Sequence, residues 1–187
     1  MAHTYSIGVD IGGTNTDIGL VREDGKIVAR HNIPTNKYFD IEVYLKDIVE
    51  HVKAMMKENE VETIDGIGIC APNGNTYNCT FSGATNLNFK GEFNVQEIVN
   101  KYMDVKVVVS NDANAAAFGE MIYGGGKGMK HLIMFTLGTG VGTGIIVDGK
   151  LLLGAGKSTI IKSIVGLHKQ DKGIIKITFK VDIYKDE

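Results

Sequence analysis

The fold is decided by a short stretch near the amino terminus, Asp10-Ile11-Gly12-Gly13-Thr14-Asn15-Thr16-Asp17. The run before it, Thr4–Val9, predicts a buried strand, and Asp17–Val21 predicts a second strand directly after it. Two glycines between strands lack Cβ atoms and permit positive φ, so backbone N–H groups can approach an anion closely. Thr14 and Asn15 add side-chain donors, and Asp10 could hold Mg²⁺ through water. The alternative is a tight Gly-Gly hairpin that binds no ligand.

A second glycine-rich stretch also lies between two predicted strands, Thr136-Leu137-Gly138-Thr139-Gly140-Val141-Gly142-Thr143-Gly144. Alternating glycine and threonine can form a concave surface of amides and hydroxyls, whereas the alternative is an ordinary glycine-rich β-turn. The first stretch is not a dinucleotide fingerprint, because that motif needs a helix behind the glycines and this turn continues into a strand. Two such turns with an α/β unit between them could close on one polyphosphate from two sides.

A third segment brings a carboxylate to the end of a strand. The apolar run Val105–Val109 predicts a buried strand, and it leads into an alanine-rich predicted helix, Asn111–Tyr123. Asp112 at the start of this helix can be a general base for a hydroxyl placed in the cleft. The alternative is that Asp112 only caps the helix.

The remaining periodicities complete an α/β pattern. The Asp40–Asn59 segment predicts an amphipathic helix, and the polar Ala71–Glu92 segment predicts a long loop. The other predicted strands and the short helix are Ile27–Ile33, Ile64–Cys70, Val95–Tyr102 (the helix), Ile133–Leu137, Gly144–Val147 and Lys150–Leu153. Three meandering strands followed by helix–strand alternation predict an α/β domain with a mixed sheet, and no internal repeat is expected.

Composition narrows the class of protein. The 187 residues are 43% hydrophobic and 22% charged, which is typical of a globular domain. A net charge of -2 argues against a nucleic-acid partner. Cys70 and Cys79 are too far apart for a CxxC redox or zinc pair, which favours a reducing, cytoplasmic setting. No run reaches the ~18 apolar residues of a membrane span, and the amino terminus is not that of a signal peptide.

Three motifs in this order resemble the ROK sugar kinases, a family that includes bacterial glucokinases. They are Asp-x-Gly-Gly-Thr from residue 10, Asn-Asp-x-Asn-Ala-Ala-x-x-Gly-Glu from residue 111, and Leu-Gly-Thr-Gly-x-Gly-x-Gly from residue 137. The resemblance covers about residues 4–154 and implies one lobe, residues 1–154, of an actin-like ATPase (ribonuclease-H-like) fold.

The resemblance also implies roles for individual residues, with ATP, Mg²⁺ and a hexose as ligands. Asp112 is the base and Asn111 holds the sugar. The ATP phosphates are bound by residues of the two glycine turns and by the aspartate before the first: Asp10, Gly12, Gly13, Thr14, Asn15, Gly138, Thr139 and Gly140. Asn73 and Asn86 fall where the family's sugar-binding loops lie. Whether the protein forms a homo-oligomer is left open.

After Leu153 the chain departs from the family pattern. The family continues with a Gly-Glu-x-Gly-His sugar segment, a cysteine-rich zinc loop and a second lobe that holds adenosine, and the remaining residues match none of these. Residues 154–177 instead resemble part of an ABC transporter ATPase, although Leu151 stands where a Walker A loop requires glycine. The alternative for Lys157–Leu167 is an amphipathic packing helix. We expect residues 155–187 to be a helix–strand tail, not an independent domain.

Three functions fit these motifs. The first is ATP-dependent phosphorylation of a hexose, with glucose as the first candidate. The second is a truncated, non-catalytic module that binds nucleotide or sugar. The third is a ROK-type repressor, which we set aside because the first predicted strand begins near Thr4 and leaves no room for a DNA-binding domain ahead of it.

Overall fold

Strands and helices follow one another in the order that the hydrophobic periods predict. The structure is a computed structural model and describes residues 3–83, 87–137 and 141–153. Its strands are β1 Tyr5–Ile11, β2 Asn15–Arg22, β3 Ile27–Pro34, β4 Ile67–Cys70, β5 Thr80–Ser82, β6 Glu92–Asn94, β7 Val107–Ser110, β8 Leu132–Leu137, β9 Val141–Val147 and β10 Lys150–Leu151. Its helices are α1 Ile41–Glu58, α2 Val95–Asn100 and α3 Asp112–Ile122, with a 3-10 turn at Thr35–Lys37.

The main sheet has the strand order β3-β2-β1-β4-β7, which confirms the predicted mixed sheet. β1 pairs antiparallel with β2 and parallel with β4, and β4 pairs parallel with β7. The register places Asp10 opposite Cys70, and Cys70 opposite Ser110. The carboxyl ends of three parallel strands therefore meet at one edge of the sheet.

Helices α1 and α2 pack on one face of the main sheet. The inward residues of β1 are buried, and the apolar stripe of α1 that faces them is buried as well: Tyr44, Leu45, Ile48, Val49, Val52 and Met55. Burying side chains of this size stabilises the fold by about 1.5–3 kcal/mol each. The Asp40 carboxylate caps α1 by accepting from the amides of Glu42 and Val43. The predicted helix is thus confirmed, and its cap explains where it begins.

A small hairpin interrupts the segment that we predicted to be a continuous loop. β5 and β6 pair antiparallel, and Phe81 lies opposite Phe93. Phe81 is fully buried, and its ring centroid lies 6.1 Å from that of Phe89. The hairpin was missed because each strand has three residues, too few to show a period of two.

β8, β9 and β10 form a second sheet, separate from the main one. In this sheet, as in β1–β3, three consecutive strands pair antiparallel, and an Asp-Gly turn joins the last two. Gly25 and Gly149 occupy the same place in the two Asp-Gly turns, and both have positive φ, at 87° and 73°.

Contacts divide the chain after Leu151, into units Met1–Leu151 and Leu152–Glu187. Everything predicted for residues 155–187, including the amphipathic helix and the likeness to an ABC ATPase, lies outside the described residues. The domain boundary at residue 154 therefore stays a prediction. Among the helices that the structure describes, none is long and apolar enough to cross a bilayer.

Candidate functional site

The edge where β1, β4 and β7 end is the centre of the candidate site. Asp10 lies there, opposite Asp17 on the antiparallel side of β1 and opposite Cys70 on the parallel side. Partial burial raises the pKa of Asp10, and the nearby charges of Asp17 and Asp112 raise it further. The strand register carries Asp10 and the residues that follow Ser110, Asp112 among them, to the same edge of the sheet. Such an accumulation of negative charge favours a bound cation.

The first glycine turn, residues 12–15, closes tightly between β1 and β2. The Gly12 amide donates to the Asn15 carbonyl oxygen at 3.0 Å, and a Cβ atom on Gly12 would lie 2.7 Å from that oxygen. Glycine is required at position 12 by this close approach. Of the two properties of glycine considered for this turn, the missing Cβ atom is therefore the one that matters at Gly12, whose φ is not positive. Among the hydrogen bonds that join described residues, none engages the amides of Gly13 and Thr14. These backbone donors are therefore suited to an anion.

At the start of α3, Asn111 and Asp112 have different structural roles. Asn111 is the cap, because its side-chain oxygen accepts from the Asn114 amide at 2.9 Å. Asp112 lies in the first turn of the helix, exposed to solvent, with one carboxylate oxygen 3.0 Å from the Ala113 amide. The alternative that Asp112 is the helix cap is thus wrong. Capping uses the oxygen of the Asn111 amide group and leaves its nitrogen to donate to a ligand.

The turn after β4 packs against the same edge. The Ala71 amide donates to the Ser110 carbonyl oxygen at 3.0 Å. This hydrogen bond joins the turn to the residue that immediately precedes Asn111 and Asp112 in the sequence. A Cβ atom on Gly74 would lie 2.3 Å from the same oxygen, which excludes any larger residue. Asn73 is exposed and has a left-handed backbone, with φ of 57°. Asparagine tolerates this conformation better than most residues, so Asn73 has a backbone role whether or not it binds sugar.

α3 connects this edge to the second sheet. Gly142 and Gly144 on β9 face the helix, and a Cβ atom on Gly144 would lie 2.4 Å from the Ala113 carbonyl oxygen and 2.5 Å from the Ala117 side chain. The residue that follows Asp112 therefore contacts the strand that leaves the second glycine turn. Gly138, Thr139 and Gly140 of that turn lie outside the described residues, as does Asn86. The predicted meeting of the two glycine turns on one polyphosphate stays a prediction.

Some residues that shape the site were missed from the sequence. Asp17 is one, although its alternation with Ile18 in β2 places it on the same exposed face as Asp10. Thr16 and Thr35 are fully buried hydroxyls, and Tyr44 hydrogen-bonds to Thr16. The available signal for Thr16 was its inward position in the alternation of β2. Nothing in the pattern of α1 distinguishes Tyr44 from its apolar neighbours.

A profile of the ROK family matches residues 6–159. The chain belongs to the ROK family. Its fold is accordingly the actin-like ATPase fold, of which the described residues show the mixed sheet and the start of a second sheet.

Two curated ROK relatives are a glucokinase of Streptomyces coelicolor and a putative fructokinase of Bacillus subtilis. The chain is 41% identical to the first over 149 residues, which cover 80% of the chain and 45% of the relative. It is 33% identical to the second over 150 residues, which cover 79% of the chain and 48% of the relative. This ROK chain therefore spans about half the length of the curated relatives it matches.

A solved structure shows the same likeness. The chain superposes on a ROK family glucokinase from Streptomyces griseus, in complex with glucose and AMPPNP, with a TM-score of 0.66 and 35% identity. The superposition covers 80% of this chain and 46% of that protein.

Proposed function

We propose that this ROK chain carries the phosphate-binding and catalytic half of an ATP-dependent hexose kinase, with glucose as the first sugar to test. The observation that carries the proposal is the placement of Asp112. Its carboxylate is exposed in the first turn of α3, is not used as the helix cap, and lies near Asp10 beside the first glycine turn. A base and an anion-binding turn at one edge are the parts that phosphoryl transfer requires.

In this proposal Asp112 accepts the proton of the sugar hydroxyl. The hydroxyl oxygen then forms a bond to the γ-phosphorus of ATP, the bond from that phosphorus to the bridging oxygen breaks, and ADP leaves. Asn111 donates from its side-chain nitrogen to the sugar, because its oxygen is already used by the cap. Asn73, beside the same edge, and Asn86 are weaker candidates for further sugar contacts.

The phosphates of ATP are assigned to the two glycine turns. Gly12 keeps the first turn narrow, and Gly13 and Thr14 present backbone donors, with Asn15 beside them. We assign the opposite side of the phosphates to Gly138, Thr139 and Gly140. AMPPNP, an ATP analogue, is bound by the Streptomyces griseus glucokinase, which supports a nucleotide triphosphate as ligand.

Asp10 is the residue proposed to hold Mg²⁺. In the described residues no group of three His, Cys, Asp or Glu side chains could chelate a metal ion directly. A magnesium ion held by one or two carboxylates, phosphate oxygens and several waters suits such a donor set. When bound, Mg²⁺ would neutralise charge on the phosphates. The pKa of Asp10 is raised first by partial burial and further by the charges of Asp17 and Asp112, and a cation would offset these charges.

The choice of sugar and the cellular compartment are also proposals. Relatives named glucokinase and putative fructokinase support a hexose as substrate, and these names do not distinguish glucose from fructose. Cys70 and Cys79 are both free thiols, and the Cys79 thiol donates to the Val107 carbonyl oxygen. Unpaired cysteines suit a reducing compartment, so we place the protein in the cytoplasm.

The proposal is tested on the 187-residue chain by ATP titration and by transfer of labelled phosphate from γ-³²P-ATP to glucose, fructose or mannose. We expect ATP to bind and transfer to remain below about 1 s⁻¹, since half of the kinase length is present. Asp112→Asn should keep ATP binding and remove the transfer. In a full-length relative the same change should cut turnover by about 10²–10⁴.

Asp104→Asn serves as the control, because Asp104 is an exposed carboxylate just before β7, at the opposite end of that strand from Ser110. It should change neither readout. Failure of the chain to bind ATP would contradict the proposal. ATP binding with no transfer to any sugar would favour the alternative of a non-catalytic module, and near-normal transfer by Asp112→Asn would remove Asp112 as the base.

A further inference from the structure

We propose that Tyr44 is a positioning residue for the first glycine turn, so that a hydroxyl on α1 sets the geometry in which this turn meets phosphate. The inference rests on the proposed function, because it assigns a role toward the same ATP site. It adds a residue that lies on a helix, does not touch the turn directly, and acts through two threonines.

Three buried hydroxyls form one cluster between α1 and the main sheet. Tyr44 is fully buried, and its hydroxyl hydrogen-bonds to Thr16 Oγ1. Thr16 Oγ1 lies 2.7 Å from Thr35 Oγ1. Thr16 is 0% exposed and Thr35 is 2% exposed, so no bulk water competes for these groups. Because a buried hydroxyl without a partner is costly, the cluster has few alternative arrangements.

The two threonines hold both ends of the first glycine turn. Thr16 follows the turn directly and is the β2 residue opposite Ile11, the last residue of β1. Thr35 reaches the turn through its backbone, since its amide donates to the Thr14 carbonyl oxygen at 2.8 Å. Displacing either threonine would therefore move the peptide groups of Gly13 and Thr14, whose amides are the proposed phosphate donors.

The ring of Tyr44 is fixed by aromatic neighbours, so the direction of its hydroxyl is fixed as well. Its centroid lies 5.4 Å from that of Phe89 in a stacked arrangement and 5.0 Å from that of Tyr38. Burial raises the pKa of Tyr44 to about 12, so the hydroxyl keeps its proton at neutral pH and can donate it within the cluster. A phenylalanine would fill the same space, which means that packing alone does not explain the tyrosine.

The first test replaces Tyr44 by phenylalanine in the 187-residue chain. We expect the amide resonances of Gly13 and Thr14 to shift in a ¹⁵N-correlated NMR spectrum without ligand. We also expect ATP affinity to fall by about two- to tenfold, the range of one net hydrogen bond. Tyr38→Phe is the matched control, because Tyr38 also buries its ring but donates its hydroxyl to Asp47, away from the turn. It should change neither quantity.

If Tyr44→Phe does not fold, two variants of Thr16 test the same proposal. Thr16→Val removes the linking hydroxyl at constant shape and should reproduce the shifts, whereas Thr16→Ser keeps the hydroxyl and should restore the spectrum. Unchanged Gly13 and Thr14 resonances in Tyr44→Phe, or in Thr16→Val, would overturn the proposal. If the unmodified chain binds no ATP, the proposed function fails, while the amide resonances still decide the role of Tyr44.

Discussion

The position of Asp10 at the candidate site lowers the stability of the fold at neutral pH. Its carboxylate sits at the end of β1, opposite Asp17 and near Asp112, and its partial burial raises its pKa. The folded chain therefore binds a proton at Asp10 more readily than the unfolded chain does. Stability from this residue is highest at low pH and is lost as the pH rises through the raised pKa of the folded state.

Asp10→Asn should consequently stabilise the chain at pH 7. The gain should be less than about 1 kcal/mol, because solvent screens an exposed carboxylate, and this corresponds to an increase in Tm of up to about 4 °C. The difference between the variant and the unmodified chain should vanish as the pH falls below about 4, where both states carry a protonated Asp10. Thermal unfolding measured between pH 3 and 8 checks this, with Asp104→Asn as the control. A variant less stable than the unmodified chain at pH 7 would contradict it.

At the scale of elements, the contact between α3 and β9 depends on missing side chains. Gly142 and Gly144 let the strand approach Ala113 and Ala117 so closely that a Cβ atom at Gly144 would meet two neighbours below 3.0 Å. One of these neighbours is a backbone carbonyl oxygen, which cannot move aside without moving the helix. Because α3 begins at Asp112, its distance from β9 also sets where this carboxylate lies.

Gly144→Ala should therefore destabilise the chain by about 1–3 kcal/mol, the usual cost of overpacking. Gly119→Ala is the matched control: Gly119 lies within α3, and an added Cβ atom would meet nothing within 4 Å. There the change should be neutral or stabilise the helix by up to about 1 kcal/mol. Chemical denaturation of both variants measures the difference, and equal midpoints would show that the close approach of α3 and β9 does not matter.

Elements long enough to repeat their hydrophobic period several times were predictable from the sequence, and elements of three residues were not. The stripe of α1 repeats over five turns and begins at the Asp40 cap, so both its type and its start follow from the sequence. The three residues of β5 and the three of β6 are too few to show a period, so Phe81 was predicted to lie in a loop and Phe93 was assigned to no element. The site was predictable where the chain itself brings residues together, as at Asn111 and Asp112. It was not predictable where burial decides the role, as for Tyr44 and Thr16.

At the scale of the whole molecule, the rate of phosphoryl transfer depends on how well ATP and the sugar are held in line. Holding two reactants in line can contribute about 7–11 kcal/mol to catalysis, and in the family this requires a cleft between two lobes. The chain spans about half the length of its curated relatives. Each 1.36 kcal/mol of positioning corresponds to about a tenfold change in rate, so we expect the 187 residues, when assayed by themselves, to turn over slowly even with Asp112 in place.

The parallel pairing of β1 with β4 and of β4 with β7 also has a consequence during synthesis. The β1–β3 meander is complete in sequence at Pro34, but the edge that holds Asp10 has no β7 until Ser110 has been made. At about 5–20 residues per second, a ribosome needs roughly 4 to 15 s to travel between these two residues. For that time the sheet is incomplete: the β1 edge has no partner until β4 is complete at Cys70, and the β4 edge then has none until Ser110, so an unpaired strand edge is open to chaperones or to other chains. Added protease should thus cleave β1 in ribosome-stalled chains that end before Ile67. Stalled chains whose residues beyond Ser110 have left the ribosome should resist cleavage there. Equal cleavage of the two would contradict this order of assembly.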